Sequence, residues 1–362
     1  MKRCRLKLTE RNSGLKASLA KLTLIGGLYW LAGLNVSVAD EHDYDKYKEV
    51  FSAIPAIPPI PSDNSLTPAR VELGRKLYWD RRTSKTGATS CGFCHHPAYY
   101  GAEPMDRSVG VFGEIHAANA HTVLNAAFHS SQFFSGSAET LEAQALGAVK
   151  SHVASRSWPE EVAERLNRIP GYSEESIAAY GEPLTEEIIG KAIASFMRTL
   201  VTPDYALARW LAGDETAMND QQKMGMKAFA DKGCVACHSG ALFSNFTFQK
   251  FEIEGGEHHP GRYSVTENEE DRFRYKVPSL LNVAMTPPYT HAGVIKTLPD
   301  MVEVMGEKML NIELTEQEIA DITAFLGTLT GTMPDSFTHI PVLPIGGGEG
   351  DYGPELMPST KE

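Results

Sequence analysis

Apolar positions repeat at helical spacing in several separate segments of this chain. A broad apolar stripe through residues 186–200 predicts an amphipathic helix. Thr67 as N-cap and Pro68 at the first helical position predict a helix that runs to about Trp79. The remaining predicted helices cover residues 160–167, 220–232 and 315–329. Strand-like alternation is scarce, so the predicted class is all-α, with long loops between the helices.

The first 39 residues differ from the rest in composition. Seven basic residues precede an apolar run over residues 22–34, and Ser37-Val38-Ala39 follows it. This is the order of a secretory signal peptide. The run is shorter than the roughly 20 apolar residues of a spanning helix, so we expect cleavage near Ala39 rather than an uncleaved anchor. The prediction is an exported, periplasmic protein, soluble or peripheral to the membrane.

Four of the five cysteines lie in two identical patterns. Cys91, Cys94 and His95 form one C-x-x-C-H sequence, and Cys234, Cys237 and His238 form the other. A c-type haem is bonded through its vinyl groups to two thiols, and the next histidine supplies an axial base to the iron. Zinc and thioredoxin-like sites also use C-x-x-C, but two such pentapeptides in one exported chain favour two covalent haems c.

The spacing of the two patterns suggests a tandem of cytochrome c-like domains joined by long loops. Each domain would hold one covalent haem. The predicted organisation is a signal peptide at 1–39, an extended arm at 40–66, an N-terminal domain at 67–205, a C-terminal domain at 206–335 and a flexible tail at 336–362.

The charge balance is acidic, with a formal net charge of −12. Loss of residues 1–39 would remove seven basic residues and one acidic residue, which leaves about −18. Such a surface argues against nucleic acid as a partner and favours a positively charged protein. Solubility alone explains the charge equally well.

Five short segments carry a family resemblance: 73–78 (LGRKLY), 122–128 (TVLNAAF), 198–203 (RTLVTP), 276–283 (KVPSLLNV) and 286–293 (TPPYTHAG). They resemble the bacterial di-haem cytochrome c peroxidases and their relative MauG, which oxidises residues of another protein. The likeness spans about residues 67–330. It implies that peroxide meets the N-terminal haem, with His95 as proximal ligand, and that the C-terminal haem, on His238, transfers electrons.

The resemblance also implies further ligands. Fourteen residues after His291 stands Met305, which matches the family's second ligand of the electron-transfer haem. A thioether ligand raises the reduction potential. Met301, Met305 and Met309 are also four residues apart, so a helix face in the core is the alternative. Family members hold a calcium ion between the haems, and the resemblance implies that Asn119 and the carbonyls of Thr286 and Pro288 would bind it here.

The chain departs from the family at the peroxide side. The family's glutamine is matched by Gln144, but its glutamate falls at Ala154. Alanine moves no protons, so His152 or a shifted acid such as Glu160 replaces it, or peroxide turnover is weak.

Two further positions differ from the family's peroxidases. The histidine that ligates the iron of the resting peroxidatic haem in the peroxidases corresponds to Val111, which implies an open iron position at rest. The tryptophan that lies between the two haems in the family corresponds to Phe134. Three histidines near this segment are candidates for a ligand role, although surface positions are the more usual explanation: His116, His121 and His129.

Three functions fit these observations. The leading one is a periplasmic di-haem oxidoreductase that reduces hydrogen peroxide at the His95 haem with electrons from the His238/Met305 haem. Its electron donor would be a small cationic protein, either a c-type cytochrome or a cupredoxin. The family resemblance also suggests a homodimer. The alternatives are a MauG-like enzyme that oxidises aromatic residues of a partner protein, and a non-catalytic electron-transfer or sensor cytochrome.

Overall fold

The computed structural model describes residues 44–151 and 154–346. The predicted signal peptide, His152 and the end of the predicted tail lie outside the described residues. Within the described ranges, no helix combines the length and apolar character needed to cross a bilayer.

Helices dominate the described chain. Those of the N-terminal half are α1 (Pro68–Trp79), α2 (Cys91–Cys94), α3 (Leu141–Lys150), α4 (Pro159–Asn167), α5 (Pro170–Tyr180) and α6 (Glu186–Met197). Those that follow are α7 (Ala206–Leu211), α8 (Asp220–Asp231), α9 (Tyr263–Thr266), α10 (Leu298–Met305), α11 (Glu316–Gly327) and α12 (Asp335–Thr338). Strands β1 (Phe248–Lys250) and β2 (Arg274–Lys276) pair antiparallel. The expected helical class is therefore confirmed, with a small β-ribbon added to it.

The predicted helix starts are confirmed by their caps. The Thr67 side chain accepts a hydrogen bond from the Arg70 amide at 3.3 Å. Thr315 and Glu318 exchange the two hydrogen bonds of a capping box at the start of α11. Helix α8 ends just before Gly233, whose φ of 99° breaks the helix ahead of the second cysteine pair.

Helices α3 and α5 were not predicted from the sequence. Helix α5 lacks a regular apolar stripe, and its burial depends on a distant partner. The Tyr172 hydroxyl donates a hydrogen bond of 2.6 Å to Asp80, which lies just beyond α1. Because this contact joins residues 92 positions apart, local pattern carries no signal of it.

The buried apolar residues form two clusters. The first lies among α1, α3, α4 and α6, and the second packs α8 against α11. The described part of the segment predicted as an extended arm contains a 3-10 turn, Asp45–Glu49, and buries Tyr47, Phe51 and Ile54 in the second cluster. Near the other end of the described chain, Phe337 is buried in the first cluster. Each terminal segment therefore packs into the half of the molecule that is distant from it in sequence.

Each cluster contains a close helix crossing at a glycine. A Cβ on Gly74 of α1 would lie 1.8 Å from the carbonyl oxygen of Ala192 in α6. A Cβ on Gly225 of α8 would lie 1.8 Å from the carbonyl oxygen of Asp321 in α11. Only a residue without a side chain permits these approaches. The crossings hold the helices that precede each cysteine pair.

Candidate functional site

The two cysteine pairs stand on single turns of helix. Helix α2 carries Cys91 and Cys94, and the His95 amide donates to the Cys91 carbonyl at 2.9 Å. In the second pattern, the His238 amide donates to the Cys234 carbonyl at 2.9 Å. No disulfide joins any of these four cysteines. Both thiols of each pair therefore remain available for covalent attachment.

The two histidines have equivalent hydrogen bonds. His95 Nδ1 lies 2.9 Å from the Gly101 carbonyl oxygen, and His238 Nδ1 lies 2.8 Å from that of Phe243. Gly101 and Phe243 both adopt positive φ, at 70° and 52°. Burial lowers the pKa of both histidines, which favours the neutral ring. Each Nδ1 therefore donates to a carbonyl and leaves Nε2 as a metal-ligating nitrogen, the usual arrangement of a ligand histidine.

Two buried polar atoms in the N-terminal half also fit the binding of a polar or metal-containing group. Trp79 Nε1 and Gln144 Oε1 are buried and make no hydrogen bond within the described chain. Such atoms are costly unless something satisfies them. A haem, with an apolar ring and polar propionates, fits a site with free thiols, an oriented imidazole and unmet polar atoms.

Met305 ends helix α10, and a single π-helical segment, Gly306–Leu310, follows it. Met301 packs against the second apolar cluster, whereas Met305 is half-buried and is not among the residues described in that cluster. Leu310, at the end of the π-segment, lies 4.0 Å from the Cβ position of Gly233, beside the second cysteine pair. π-Segments often occur at functional sites, so this arrangement is compatible with a ligand role for Met305, which stays a prediction.

Asn119 joins the two halves of the site. Its backbone amide donates a hydrogen bond of 2.8 Å to the His291 carbonyl. Its side-chain Nδ2 donates to the carbonyls of Glu103 and Met105 at 3.2 and 2.7 Å. The side-chain oxygen therefore points away from these acceptors. No cluster of three His, Cys, Asp or Glu side chains suited to a metal exists among the described residues, so a calcium site here would depend on amide and carbonyl oxygens.

Comparison with known proteins decides the family. The model of the family described as di-haem cytochrome c peroxidase matches residues 68–216. The cytochrome c551 peroxidase of Nitrosomonas europaea is 37% identical over 294 residues, which cover 79% of this chain and 87% of that protein. The chain belongs to the di-haem cytochrome c peroxidase family.

Other members show the range of this family. The methylamine utilization protein MauG of Methylorubrum extorquens is 33% identical over 343 residues, 89% of this chain and 96% of that protein. A solved MauG-like protein associated with microbial copper homeostasis superposes with a TM-score of 0.71 at 25% identity, covering 80% of this chain and 96% of that one. The chain is thus an enzyme of the di-haem peroxidase and MauG type, and membership of this family implies haem c as its cofactor.

The residues expected on the family's peroxide side lie on α3 and the loop after it. Gln144 is in the middle of α3. Ala154 lies in the following loop, where its carbonyl accepts a hydrogen bond of 2.7 Å from Thr89. Glu160 is exposed on α4 and interacts with Glu186 and Lys150, so it faces the surface. Among the acids near this loop, Glu160 is therefore a poor substitute for the family's glutamate.

The loop that carries Val111 contacts the loop that carries Ala154. Val109 and Ile115 form a β-bridge, so Val111 lies near the tip of a small hairpin. Arg156 makes an ion pair of 2.9 Å with Glu114 of this hairpin. Arg156 therefore joins the two loops, a contact that the sequence pattern does not indicate.

Phe134 lies at the junction of the two halves of this family member. Its ring centroid is 5.0 Å from that of His121 and 6.5 Å from that of His291. His121 is half-buried, and burial first, then Lys276 and His95, lower its pKa to about 4. His116 lies apart at the base of the hairpin, where its Nδ1 accepts from the Ala118 amide at 3.2 Å.

Proposed function

We propose that this enzyme is a periplasmic di-haem peroxidase that reduces hydrogen peroxide at the haem of Cys91, Cys94 and His95. Electrons enter through the haem of Cys234, Cys237 and His238, with Met305 as its second ligand. The N-terminal haem domain would cover residues 67–205 and the C-terminal one 206–335. The observation that carries this proposal is the shared arrangement of His95 and His238, each with Nδ1 held by a carbonyl and Nε2 left for iron.

The chemistry divides between the cofactor and the chain. Haem c supplies the iron at which one peroxide, two electrons and two protons become two waters. Gln144 supplies a buried amide whose oxygen has no hydrogen-bond partner in the described part of the chain, and this amide would hold and orient the peroxide. In this proposal His152 moves protons in place of the family's glutamate, since imidazole titrates near neutral pH.

The electron donor would be a small cationic protein, a c-type cytochrome or a cupredoxin. The acidic charge of the chain supports this proposal, because opposite charge accelerates encounter at low ionic strength. Export through the predicted signal peptide would place the enzyme where such donors occur. A calcium ion on Asn119 and a homodimeric assembly complete the proposal, both from the family resemblance.

The first test is the electronic and spin-resonance spectrum of the oxidised protein, followed by one equivalent of hydrogen peroxide. We expect one haem to change within the mixing time and steady-state peroxide reduction once a donor is added. Gln144→Leu should reduce kcat/KM for peroxide by about 10²-fold, whereas Gln221→Leu, an exposed glutamine on α8, should leave it unchanged. Two low-spin haems that stay inert to peroxide, even after half-reduction, would show an electron carrier instead.

A MauG-like oxidase is the second candidate, and Val111 is the observation that favours it. A hairpin tip with valine offers no imidazole to close the iron, so the peroxide haem would be open without prior reduction. The two enzymes differ in their need for a donor. Peroxide-dependent oxidation of aromatic residues on a partner protein, with no turnover of cationic cytochromes, would replace the first candidate by this one.

A further inference from the structure

Lys276 is a buried lysine without an acidic partner in the described chain. Its residue is 7% exposed, and its Nζ donates to the carbonyl oxygen of Ser131. No ion pair of the described residues includes Lys276. Burial lowers its pKa to about 8, so the amine still carries a proton at neutral pH. A buried ammonium normally has an anionic partner, because its desolvation is otherwise uncompensated.

His129 presents a second unmet group beside this lysine. Both of its ring nitrogens are buried, and neither makes a hydrogen bond to any residue that the structure describes. Its ring centroid lies 5.2 Å from that of Phe246, and the Lys276 amine lies 5.6 Å from the same Phe246 ring. Burial, then Lys276, then His121 hold the pKa of His129 well below its ordinary value, so the ring is neutral and carries one N–H donor.

The Lys276 ammonium and the His129 imidazole both need a hydrogen-bond acceptor. The ammonium has protons beyond the one directed at Ser131, and the imidazole has a free N–H, while no acceptor for them is described nearby. A carboxylate would accept from both and would neutralise the lysine charge. Water alone would meet the hydrogen bonds but would leave the charge unpaired in a buried place.

The pair has neighbours that lead to both candidate haem sites. On one side, Phe246 follows Asn245, whose amide donates to the Cys237 carbonyl at 2.9 Å. On the other side, His121 lies near His95, which lowers the pKa of His121, and near His129, whose pKa His121 lowers in turn. A carboxylate that reaches both donors would therefore lie near residues that contact each of the two cysteine patterns.

We propose that Lys276 and His129 together bind a haem propionate and so fix the charge between the two haems. The inference rests on the proposed function only in requiring covalent haem. A cation beside a propionate disfavours the more positive ferric state, so this pair raises the reduction potential of the haem that it holds.

The experiment is a redox titration of the holoprotein in which both haem potentials are followed. We expect Lys276→Met to lower one of the two haem reduction potentials by about 59 mV, which is a tenfold change in the equilibrium of a one-electron couple. His129→Leu should lower the same potential by less, and His129→Gln, which keeps an N–H donor, should restore it. Lys250→Met is the matched control, since Lys250 is exposed on the paired strand β1.

Each remaining outcome has a separate meaning. Unchanged potentials in Lys276→Met and His129→Leu would overturn the inference. A shift that appears only when inorganic phosphate is added would show that a free anion, not the propionate, binds here. Haem content from the alkaline pyridine spectrum of the wild-type protein is measured first, because absence of covalent haem would refute the proposed function itself. If Lys276→Met accumulates without haem, the pair of His129 variants decides the question.

Discussion

Gly225 on α8 meets the backbone of Asp321 on α11 so closely that a methyl group at position 225 would lie 1.8 Å from the Asp321 carbonyl oxygen. A backbone oxygen cannot rotate away, so the two helices would have to separate. We predict that Gly225→Ala destabilises the protein by about 3 kcal/mol, the upper range for overpacking. The free energy of unfolding from denaturant titration would measure this.

The control for this change lies on the partner helix. Gly327 is the last residue of α11, and a methyl group there would meet no atom within 4 Å. Gly327→Ala should therefore leave the stability unchanged or raise it by up to about 1 kcal/mol, because alanine is the better helix former. Equal losses from both substitutions would contradict the packing argument.

Replacement of Met305 should change one haem only. Met305→Leu conserves volume but removes the thioether, so we expect the potential of the C-terminal haem to fall by more than about 59 mV, a tenfold change in its equilibrium. Met309→Leu, in the π-segment that follows, is the matched control. A redox titration measures both, and a ligand role for Met305 is wrong if the two variants behave alike.

Removal of calcium should act through Asn119. A ligand that binds only the folded state stabilises it, by about 2.7 kcal/mol at a hundredfold excess over Kd. A chelator should lower the melting temperature of the wild-type protein, and Asn119→Ala should melt low with or without the chelator. Asn268→Ala, an exposed loop asparagine, should respond like the wild type. If the chelator leaves the melting temperature of the wild-type protein unchanged, the calcium site is refuted.

The pH dependence of stability should have a contribution from Glu142 on α3. Burial raises the pKa of Glu142, but hydrogen bonds from Arg198 and Asn64 outweigh burial and lower the pKa overall. A depressed folded-state pKa means that this stability is present above the unfolded pKa of about 4.3 and is lost as the pH falls through the folded value.

The variant Glu142→Gln tests this sign. It should cost about 2 kcal/mol at pH 7, since hydrogen bonds to charged groups contribute that much, and the cost should shrink as the pH falls below about 4. Urea titrations at several pH values give both numbers. The exposed Glu139→Gln on the preceding turn is the control. A cost that stays constant from pH 7 to acid would exclude the ionised carboxylate as its source.

The sequence by itself determined what depends on neighbours along the chain. Thr67 and Thr315 mark their helix starts because a cap is formed within three residues. The two C-x-x-C-H patterns specify their chemistry because two thiols and an imidazole on one turn are already close together. Family resemblance added the distal residues, and its assignments of Gln144 and Met305 remain predictions.

Tertiary structure decided whatever joins distant positions. Helix α5 forms around a contact between Tyr172 and Asp80, and the segment of Phe51 finds its core more than 150 residues further along the chain. Nothing in the sequence indicates that His129 and Lys276 lie side by side. Burial is a property of the folded molecule, and only folding can take a lysine and a histidine out of water together, which is why their need for an anionic partner becomes visible in the structure alone.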